Sequence, residues 1–362
     1  MKILIYIDSM NPAGGIERVV SKHLEFFAKN HDVTLLTKDT LESFYILPEN
    51  VKLKNINLEN NLNMNNRFIR IFQIFFQMFQ TKKELNDALK GYDLVYCVHI
   101  KNLVELFLAG VKGKDILLTE HGSYYGYNKI YKKIKKFLYP KCKYIISPTK
   151  MDYEIYKAQG CNVFYIPNPL SFYPNQTAPL EKKVVLSIGR LTNDKRHTLL
   201  IEIWKKIVFS YPDWTLRIIG KGENKTMLLE LIKEYNLEKN IEIIPPKKEV
   251  QEEFLNASIF AFTSQYEGFG MVLAEAMACG VPCISFDCPS GPRDIIIDKE
   301  DGYLIEEGNV EEYQEKLLTL IKDTDKRREM GKNSKKNIKR FLDVKIEREW
   351  DILLNGEKNI DD

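Results

Sequence analysis

The sequence predicts an α/β protein of two domains, each built around a parallel sheet. The chain has 362 residues, which exceeds the length at which a single hydrophobic core normally keeps growing. Short apolar, β-branched runs alternate with amphipathic helical stretches, as expected of strands joined by crossover helices. This alternation stops at Pro167-Asn168-Pro169, gives way to an irregular polar stretch as far as Lys182, and then starts again. We therefore predict two similar halves joined by a proline-rich linker.

The predicted elements of the first half begin with a buried strand, Ile3–Ile7, a glycine-containing loop and a helix over Glu17–Lys29. Its remaining strands are predicted at Val33–Thr37, Leu94–Val98, Ile116–Thr119 and Tyr144–Ser147. In the second half, the strand Val184–Ser187 precedes a loop at Gly189 and a helix over Thr198–Phe209. Further strands are predicted at Thr215–Gly220, Ile241–Ile244, Ile259–Phe262 and Pro282–Phe286, and further helices at Val272–Ala278, Glu311–Lys322, Lys326–Phe341 and Val344–Leu354. The predicted domains are 1–170 and 183–340, with a final helix and tail at 341–362.

Composition excludes several classes of protein. Hydrophobic residues make up 44% and charged residues 28%, which is typical of a globular protein and not of a disordered or disulfide-stapled one. The net charge of +3 gives no reason to expect a nucleic-acid partner. That total conceals an uneven distribution, because residues 1–175 hold 24 Lys and Arg against 16 Asp and Glu, whereas the rest hold 29 against 34. The first half is thus basic and the second acidic.

The cysteines and the length of the apolar runs indicate the cellular compartment in which the protein is expected. The six cysteines are scattered, with no CxxC pair and no histidine at zinc-ligand spacing, so we expect neither disulfides nor a metal site. The apolar run at the start is too short for a signal peptide, and no stretch approaches 18 uninterrupted apolar residues. The expected location is the cytoplasm.

A glycine-bearing turn between two glutamates is the strongest local signal. Gly268 and Gly270 allow close approach of the backbone to a ligand, and the residues from Phe269 to Val272 lie at the start of a predicted helix. Free N–H groups at a helix N-terminus favour an anion such as a pyrophosphate. Glu275 could then accept hydrogen bonds from both hydroxyls of a ribose, each contributing about 1.5–3 kcal/mol. Taken alone, Glu267 as a helix cap and Glu275 as a solvated side chain explain the pattern equally well.

A basic loop follows the strand Val184–Ser187. Arg190 can bind phosphate oxygens with its planar fork, and Lys195 offers a mobile point charge. A departing nucleoside diphosphate develops negative charge that fixed cations stabilise in the transition state. A solvated basic helix start is the alternative.

Paired glycines, Gly14 and Gly15, open the first predicted helix and suit close approach of a phosphate or sugar. An ordinary tight turn between strand and helix is the alternative. No GxGxxG or GxxxxGK[ST] fingerprint occurs, which argues against an NAD-dependent dehydrogenase and a P-loop protein.

Together these elements resemble a retaining glycosyltransferase of family 4 with the GT-B architecture, and the resemblance covers essentially the whole chain. It also includes Glu120-His121-Gly122, Ile166-Pro167-Asn168, Gly220-Lys221-Gly222 and the segment Met277–Ile284. The resemblance implies two Rossmann-like domains facing across a cleft, with the C-terminal helix crossing back to the N-terminal domain. It implies an acceptor-binding first domain and a second domain that binds the nucleotide sugar.

The resemblance also implies roles for matching positions. Glu267 would contact the reacting face of the donor sugar, and His121 would reach the transferred sugar. The donor diphosphate would be neutralised by Arg190 and Lys195. Residues that would otherwise contact the donor are Gly14, Gly15, Gly220, Phe269, Gly270, Met271, Val272 and Glu275, of which Glu275 would hold the ribose.

The implied activity is transfer of a hexose or N-acetylhexosamine from a nucleotide sugar, expected to be UDP-linked, to a glycan or lipid-linked glycan in bacterial surface polysaccharide synthesis. The reaction would be retaining and independent of metal, with the nucleotide sugar as a substrate and no cofactor. A nucleotide-sugar epimerase and a non-catalytic nucleotide-sugar-binding protein of the same architecture are the alternatives; the Glu-x7-Glu element disfavours the epimerase.

Two segments depart from the family pattern. Pro245-Pro246 stands where a glycine commonly meets the nucleobase, so recognition of the base by backbone atoms at this loop is in doubt. The stretch Pro289–Asp294, with Arg293, resembles a version found in bacterial surface-polysaccharide enzymes, and an ordinary turn before a helix describes it equally well.

Two segments of the basic half suggest contact with an anionic membrane. An aromatic stripe within Arg67–Phe79 comprises Phe68, Ile71, Phe72, Phe75, Phe76 and Phe79. The segment Lys129–Lys143 places five lysines around Ile134, Phe137 and Leu138, and a basic amphipathic helix of this kind can lie in a membrane interface. Core packing is the alternative for the stripe, and a solvated face is the alternative for the lysines. We predict peripheral association with the inner face of the cell membrane and no binding of nucleic acid.

Overall fold

The computed structural model describes residues 1–12, 14–57, 73, 80–247 and 249–356. The chain forms two compact units, Met1–Ile166 and Pro167–Asp362. Residues 167–182, the predicted linker, fall within the range of the second unit, as do residues 341–356. The domain bounds inferred from the sequence remain predictions.

The first unit is built on a parallel sheet. The strands of its described residues are β1 (Lys2–Ile7), β2 (Asp32–Thr37), β3 (Lys52–Asn55), β4 (Leu94–Cys97), β5 (Ile116–Thr119), β6 (Tyr144–Ser147) and β7 (Val163–Tyr165). They lie in the order β3-β2-β1-β4-β5-β6-β7, and each neighbouring pair is parallel. The central strand β1 is buried over five of its six residues, because a parallel sheet is covered on both faces. The edge strand β3 is exposed throughout.

The helices of the first unit follow the strands. They span Gly15–Phe27, Ile100–Leu108, Lys129–Leu138 and Lys150–Ala158, residues 80–88 are also helical, and short 3₁₀ turns lie at Gly113–Asp115, Tyr124–Gly126 and Tyr139–Lys141. One core of this unit joins apolar residues of the strands to the last three of these helices and to the residues around them.

The second unit repeats the architecture. Its strands are β8 (Val184–Ile188), β9 (Thr215–Ile219), β10 (Ile241–Ile244), β11 (Ile259–Phe262), β12 (Cys283–Phe286) and β13 (Gly302–Ile305), in the parallel order β10-β9-β8-β11-β12-β13. Its helices span His197–Val208, Lys225–Glu234, Gln251–Leu255, Met271–Ala278, Pro292–Ile295, Val310–Lys322, Thr324–Asn337 and Asp343–Asn355, with 3₁₀ turns at Asn193–Lys195 and Ile338–Phe341. Two hydrophobic clusters accompany its sheet.

In both sheets the strand order reverses at one point, between β1 and β4 and between β8 and β11. At such a point the loops leaving the carboxyl ends of neighbouring strands run in opposite directions and open a crevice, where α/β proteins bind ligands. The loop after β8 carries Lys195, and the loop after β11 carries Glu267. The topology therefore brings two of the predicted site residues to the same edge of the second sheet.

The predicted α/β class and the predicted strands are confirmed, with ends that differ by one residue at most. The predicted helix over Lys326–Phe341 is an α-helix that ends at Asn337 and continues as a 3₁₀ turn. The strands β3, β7 and β13 were not predicted from the sequence. The last helix buries Trp350, and its crossing to the first domain remains a prediction.

None of the helices in the described residues is long and apolar enough to span a membrane. All six cysteines are buried and unbonded to one another.

Candidate functional site

Two glycines bring the loops after β8 and β9 into contact. A Cβ at Gly220 would overlap the carbonyl oxygen of Gly189, and a Cβ at Gly222 would overlap the backbone of Leu191. The Gly189 N–H donates to the carbonyl of Ile219 at 3.0 Å. Gly220 therefore has a role in packing, because only glycine permits this approach of two backbones. Its predicted contact with the donor is a separate role.

Lys195 and Glu267 meet where the order of the second sheet reverses. The Lys195 Nζ donates to Glu267 Oε1 at 2.5 Å, and the two side chains are only 15% and 12% exposed. Asp194 Oδ2 lies 3.7 Å from the same ammonium group. The loops are tied together because the Thr263 hydroxyl donates to the Lys195 carbonyl and the Gln265 N–H donates to the Asp194 carbonyl. The two predicted residues therefore form one partly buried ion pair.

Arg190 lies outside this pair. Its side chain is 72% exposed, and its guanidinium is 3.6 Å from Asp194 Oδ2. Asp194 is thus placed between the two predicted cations, and its pKa is lowered because the Thr192 hydroxyl, Lys195 and Arg190 together outweigh the opposing effect of burial. Sequence reasoning assigned no role to Asp194, although its position between two cations in the motif was the available signal.

The helix Met271–Ala278 begins at Gly270, whose positive φ of 97° suits glycine. Gly270 offers no side chain to cap this end of the helix, and the Leu273 N–H donates to the Gly270 carbonyl at 2.9 Å, which leaves the N–H groups of Met271 and Val272 without a partner within the helix. Phe269 is buried with its ring packed edge-on against Phe341, so any contact it makes with a ligand is through its backbone. Gly291 supports the turn, because a Cβ there would overlap the Phe269 carbonyl.

Glu275 is buried, and its Oε1 accepts a hydrogen bond from the Ser171 hydroxyl at 2.6 Å. The solvated alternative for Glu275 is therefore wrong, and so is the capping alternative for Glu267, because Gly270 occupies the N-cap. Arg293 binds Asp287 through two hydrogen bonds of 2.9 Å, so its guanidinium is engaged within its own loop. Nothing in the sequence pointed to Ser171.

In the first unit, Gly14 is the N-cap of the helix Gly15–Phe27. Its carbonyl accepts from the Tyr45 hydroxyl at 3.0 Å, and a Cβ at Gly14 would overlap the Glu17 carboxylate. A Cβ at Gly15 would meet nothing within 4 Å, so open space faces this residue. Burial raises the pKa of Glu17.

His121 follows β5 and belongs to a chain of hydrogen bonds. Its Nε2 lies 2.9 Å from the Thr119 hydroxyl, which donates to Tyr96, whose hydroxyl lies 2.8 Å from Nδ1 of His23. Because Thr119 gives its one proton to Tyr96, we assign the proton of this imidazole to Nε2. Burial, assisted by His99, lowers the pKa of His121 to about 3, so the ring is neutral at physiological pH.

The predicted membrane-binding segment Lys129–Lys143 has both buried and exposed side chains. On the helix Lys129–Leu138, the residues Ile134 and Leu138 pack against the core and Lys135 is fully buried, so the arrangement of all five lysines around an outward apolar face is wrong. The exposed positions are Lys129, Ile130, Tyr131, Lys133, Lys136 and Phe137. The aromatic positions between Phe68 and Phe79 lie outside the described residues, as do Arg67 and Arg70.

A second charged cluster, which sequence reasoning missed, lies at the carboxyl ends of β1 and β2. Lys38 donates to Asp8 at 2.6 Å and to Glu105 at 2.7 Å, and Glu105 also accepts from Tyr6. Among the described residues, no group of three or more His, Cys, Asp or Glu is arranged to hold a metal ion.

Two family profiles divide the chain between them. The profile described as Glycosyltransferase Family 4 matches residues 13–171, and the profile described as Glycosyl transferases group 1 matches residues 172–337. An uncharacterized glycosyltransferase of Methanocaldococcus jannaschii is 30% identical over 295 residues, which cover 69% of this chain and 72% of that protein. The chain belongs to glycosyltransferase family 4.

Other glycosyltransferases match nearly the whole chain. An amylovoran biosynthesis glycosyltransferase of Erwinia amylovora is 29% identical, with coverage of 98% of this chain and 99% of the relative. A Campylobacter jejuni enzyme that is named as a 4-alpha-N-acetylgalactosaminyltransferase acting on a diphospho-undecaprenol-linked sugar is 28% identical, with coverage of 96% and 98%.

Solved structures show the GT-B fold for this family 4 chain. S. aureus TarM, crystallised with UDP, has a TM-score of 0.81 at 17% identity, covering 98% of this chain and 99% of that chain. Sucrose-phosphate synthase of Thermosynechococcus elongatus has a TM-score of 0.84 at 18% identity, covering 98% of each.

Four histidines, of which His23 and His197 are buried and His99 and His121 partly buried, predict how the stability of this glycosyltransferase depends on pH. Burial lowers the pKa of His23, His99, His121 and His197, to about 3 for His121 and about 4 for His197. Below pH 6.5 the unfolded chain binds protons that the folded chain does not, so stability is complete above that pH and falls toward pH 4. Each histidine contributes a slope of about 1.4 kcal/mol per pH unit.

The measurement is the free energy of unfolding by urea at several pH values from 7.5 to 5. The His197→Asn variant should show a slope smaller by about one proton, because His197 is buried and its Nδ1 has no hydrogen-bond partner in the described chain. A wild-type stability that stays constant over this range would contradict the burial of these imidazoles in their neutral form.

Proposed function

We propose that this protein is a retaining hexosyltransferase that moves a hexose or N-acetylhexosamine from a UDP-sugar to a glycan or lipid-linked glycan during polysaccharide biosynthesis. The observation that carries the proposal is the Lys195–Glu267 ion pair beside the uncapped N-terminus of the helix Met271–Ala278. The names of relatives support the substrate classes: one acts in amylovoran biosynthesis, one on a diphospho-undecaprenol-linked sugar, and TarM binds UDP.

The diphosphate of the donor is the group that this arrangement suits. Helix N–H groups bind anionic oxygens, and a nearby ammonium group adds a full positive charge. Lys195 is held by Glu267 in a partly buried site, where its charge is screened less than on the surface. Arg190 is exposed and can turn toward the outer phosphate when donor binds. In this proposal, the donor phosphate replaces Asp194 as the anion that Lys195 and Arg190 share.

The chemistry follows from these placements. As the bond between the anomeric carbon and the phosphate oxygen breaks, negative charge grows on the departing diphosphate, and Lys195, Arg190 and the helix N-terminus stabilise it. The acceptor hydroxyl attacks from the side of the leaving group and gives its proton to a phosphate oxygen, which retains the anomeric configuration. Glu267 is engaged by Lys195, which supports a role in orienting the sugar and the cation over a role as a nucleophile. The cations perform the charge neutralisation, so we propose that no metal is required.

In the first unit, His121 is proposed to contact the transferred sugar through its neutral imidazole. With the proton on Nε2 directed at Thr119, Nδ1 is an acceptor for a sugar hydroxyl. Glu275 is proposed to hold the ribose, with Ser171 orienting its carboxylate.

Turnover of sugar nucleotides tests the proposal. The wild type is screened with UDP-, GDP- and ADP-sugars by thermal shift, and the products formed with the best donor are analysed for anomeric configuration and for activity in EDTA. We expect a UDP-sugar to be used with retention. Lys195→Ala and Arg190→Ala should reduce kcat, the former about 100-fold or more, because a fixed charge at the transition state is lost.

Arg217→Ala is the matched control. Arg217 lies in the middle of β9 and is also a partly buried cation of the second unit, where it forms ion pairs with Glu242 and Glu253. It should leave kcat near the wild-type value. Near-wild-type turnover by both Lys195→Ala and Arg190→Ala would contradict the role of these two cations in stabilising the departing diphosphate. Binding of a sugar nucleotide without any product would instead indicate a non-catalytic binding protein.

We further propose that the first unit rests on the anionic inner face of a membrane. The exposed residues of the helix Lys129–Leu138 form one surface of lysines with two apolar side chains, Ile130 and Phe137, each about two-thirds exposed. The Lys141 ammonium lies 3.5 Å from the centroid of the Phe137 ring. A lysine near an anionic surface contributes about 1 kcal/mol, and exposed apolar side chains insert at the interface. A lipid-linked acceptor would be presented at such a surface.

Flotation with liposomes tests this surface. Vesicles that contain anionic lipid should carry the wild type upward, and the triple variant Lys129→Gln, Lys133→Gln, Lys136→Gln should float several-fold less. Exposed lysines of the second unit, Lys206 and Lys299, changed to Gln form the control and should have no effect. Equal flotation of the wild type and the triple variant would contradict the proposal.

A further inference from the structure

The Glu120 carboxylate is surrounded by five hydrogen-bond donors. Its Oε2 accepts from Lys135 Nζ at 2.5 Å, from Tyr139 at 2.9 Å and from Tyr156 at 2.7 Å. Its Oε1 accepts from the Tyr127 hydroxyl at 2.9 Å and from the backbone N–H of His121 at 3.3 Å. Glu120, Lys135, Tyr139 and Tyr156 are all buried, so water does not compete for these bonds.

These contacts close the loop that carries His121. The loop leaves β5 at Glu120 and returns at Tyr127, whose hydroxyl bonds back to the carboxylate at the start of the loop. A Cβ at Gly122 would lie 2.9 Å from that hydroxyl, so glycine leaves the room in which the Tyr127 side chain reaches Glu120. The Lys135 ammonium also lies 3.2 Å from the centroid of the Tyr127 ring, which adds a cation–π contact.

Burial of the Glu120 and Lys135 charges carries a large desolvation free energy. A buried ion pair is on average no more stabilising than apolar side chains of the same volume, although removal of one partner is strongly destabilising. Against the effect of burial, the charge of the adjacent Lys135 ammonium and, after it, the hydrogen bonds hold the pKa of Glu120 at about 2, so the carboxylate is ionised. Such a cluster fixes a geometry, and the geometry that it fixes here is that of residues 120–127.

The same loop places the ring of His121. Glu120 holds the backbone N–H of His121, and the chain through Thr119 and Tyr96 holds its Nε2. Among the described residues Nδ1 has no hydrogen-bond partner, so it is the ring nitrogen left for a ligand.

We propose that Glu120 is a positioning residue for sugar transfer: with Lys135 and Tyr127 it holds the 120–127 loop so that His121 presents Nδ1 to the transferred sugar, and it touches no substrate itself. This proposal rests on the proposed function, because it assigns Glu120 to the same reaction. Positioning errors near 1 Å reduce rates by up to about 100-fold. Loss of the cluster should therefore lower kcat more than it changes the KM for the donor, whose diphosphate is proposed to bind in the second unit.

The first unit provides a matched control cluster. Glu105 is as buried as Glu120, pairs with the buried Lys38 at 2.7 Å and accepts from the Tyr6 hydroxyl at 2.9 Å. Within the part of the chain that the structure describes, the side-chain hydrogen bonds of Glu105, Lys38 and Tyr6 do not reach the 120–127 loop. Glu105→Gln and Tyr6→Phe thus make the same chemical changes as Glu120→Gln and Tyr127→Phe in a second buried cluster, and they test what a comparable loss of stability alone does to kcat.

The test compares the two pairs of variants by thermal unfolding, by steady-state kinetics with the best donor and by amide hydrogen exchange. Glu120→Gln should lower kcat about tenfold or more and Tyr127→Phe about threefold to tenfold, with a donor KM within about twofold of wild type. Amides of residues 120–127 should exchange faster in both. Tyr127→Phe keeps the buried Lys135–Glu120 pair, so it remains informative if Glu120→Gln does not fold.

The control variants should lose stability to a similar extent and keep kcat within about twofold of wild type. The proposal is overturned if Tyr127→Phe loosens the loop but leaves kcat unchanged, or if the control variants lose as much kcat as the cluster variants. A wild type that transfers sugar from no donor contradicts the proposed function instead. In that case faster exchange confined to the loop in Tyr127→Phe still supports the role of Glu120 in holding it, and unchanged exchange overturns that role.

Discussion

The parallel arrangement of the strands determines where two features lie: the Lys195–Glu267 pair of the second unit and the His121 loop of the first. All carboxyl ends of a parallel sheet lie on one edge, so every loop that leaves a strand toward its crossover helix begins there. In the second unit this brings Lys195, after β8, against Glu267, after β11, although 71 residues lie between them in the chain. The glycines at 220, 222 and 291 let the loop backbones at this edge approach to contact. The charge that the proposed reaction requires is thus a consequence of sheet order and backbone packing.

The two units use charge differently. In the second, a cation and a carboxylate remain partly exposed beside an uncapped helix, as a site that binds an anion requires. In the first, the pairs Lys135–Glu120 and Lys38–Glu105 are buried, and tyrosine hydroxyls donate to both carboxylates, three to Glu120 and one, that of Tyr6, to Glu105. The basic excess of the first half is therefore not all surface charge. Because Lys135 faces inward, the lysine segment has both an interior role and an exposed surface of lysines, Ile130 and Phe137.

Much of the fold could be predicted from the sequence, since a strand that is buried on both faces, such as Ile3–Ile7, is an unbroken apolar run. The exposed edge strand Lys52–Asn55 has no such pattern, because one apolar residue among polar ones fits a loop equally well. Helix Met271–Ala278 was predictable from its glycine turn and apolar body. The burial of Lys135 was not, because five lysines at helical spacing favour a solvated face, and its partner Glu120 lies 15 residues away. Likewise, the exposure of Arg190 and the Ser171–Glu275 bond depend on tertiary packing that no local pattern encodes.

In the proposed reaction, the nucleotide of the donor binds where the loops after β8, β9 and β11 converge. Amide hydrogen exchange of the wild type with and without saturating UDP tests it most directly, because exchange reports on each segment without any assumption about the acceptor. We expect UDP to protect residues 189–195, 220–222 and 267–272, with the largest effect at the first turn of the helix Met271–Ala278. Protection by UDP that spares these three segments, while other parts of the chain become protected, would contradict it.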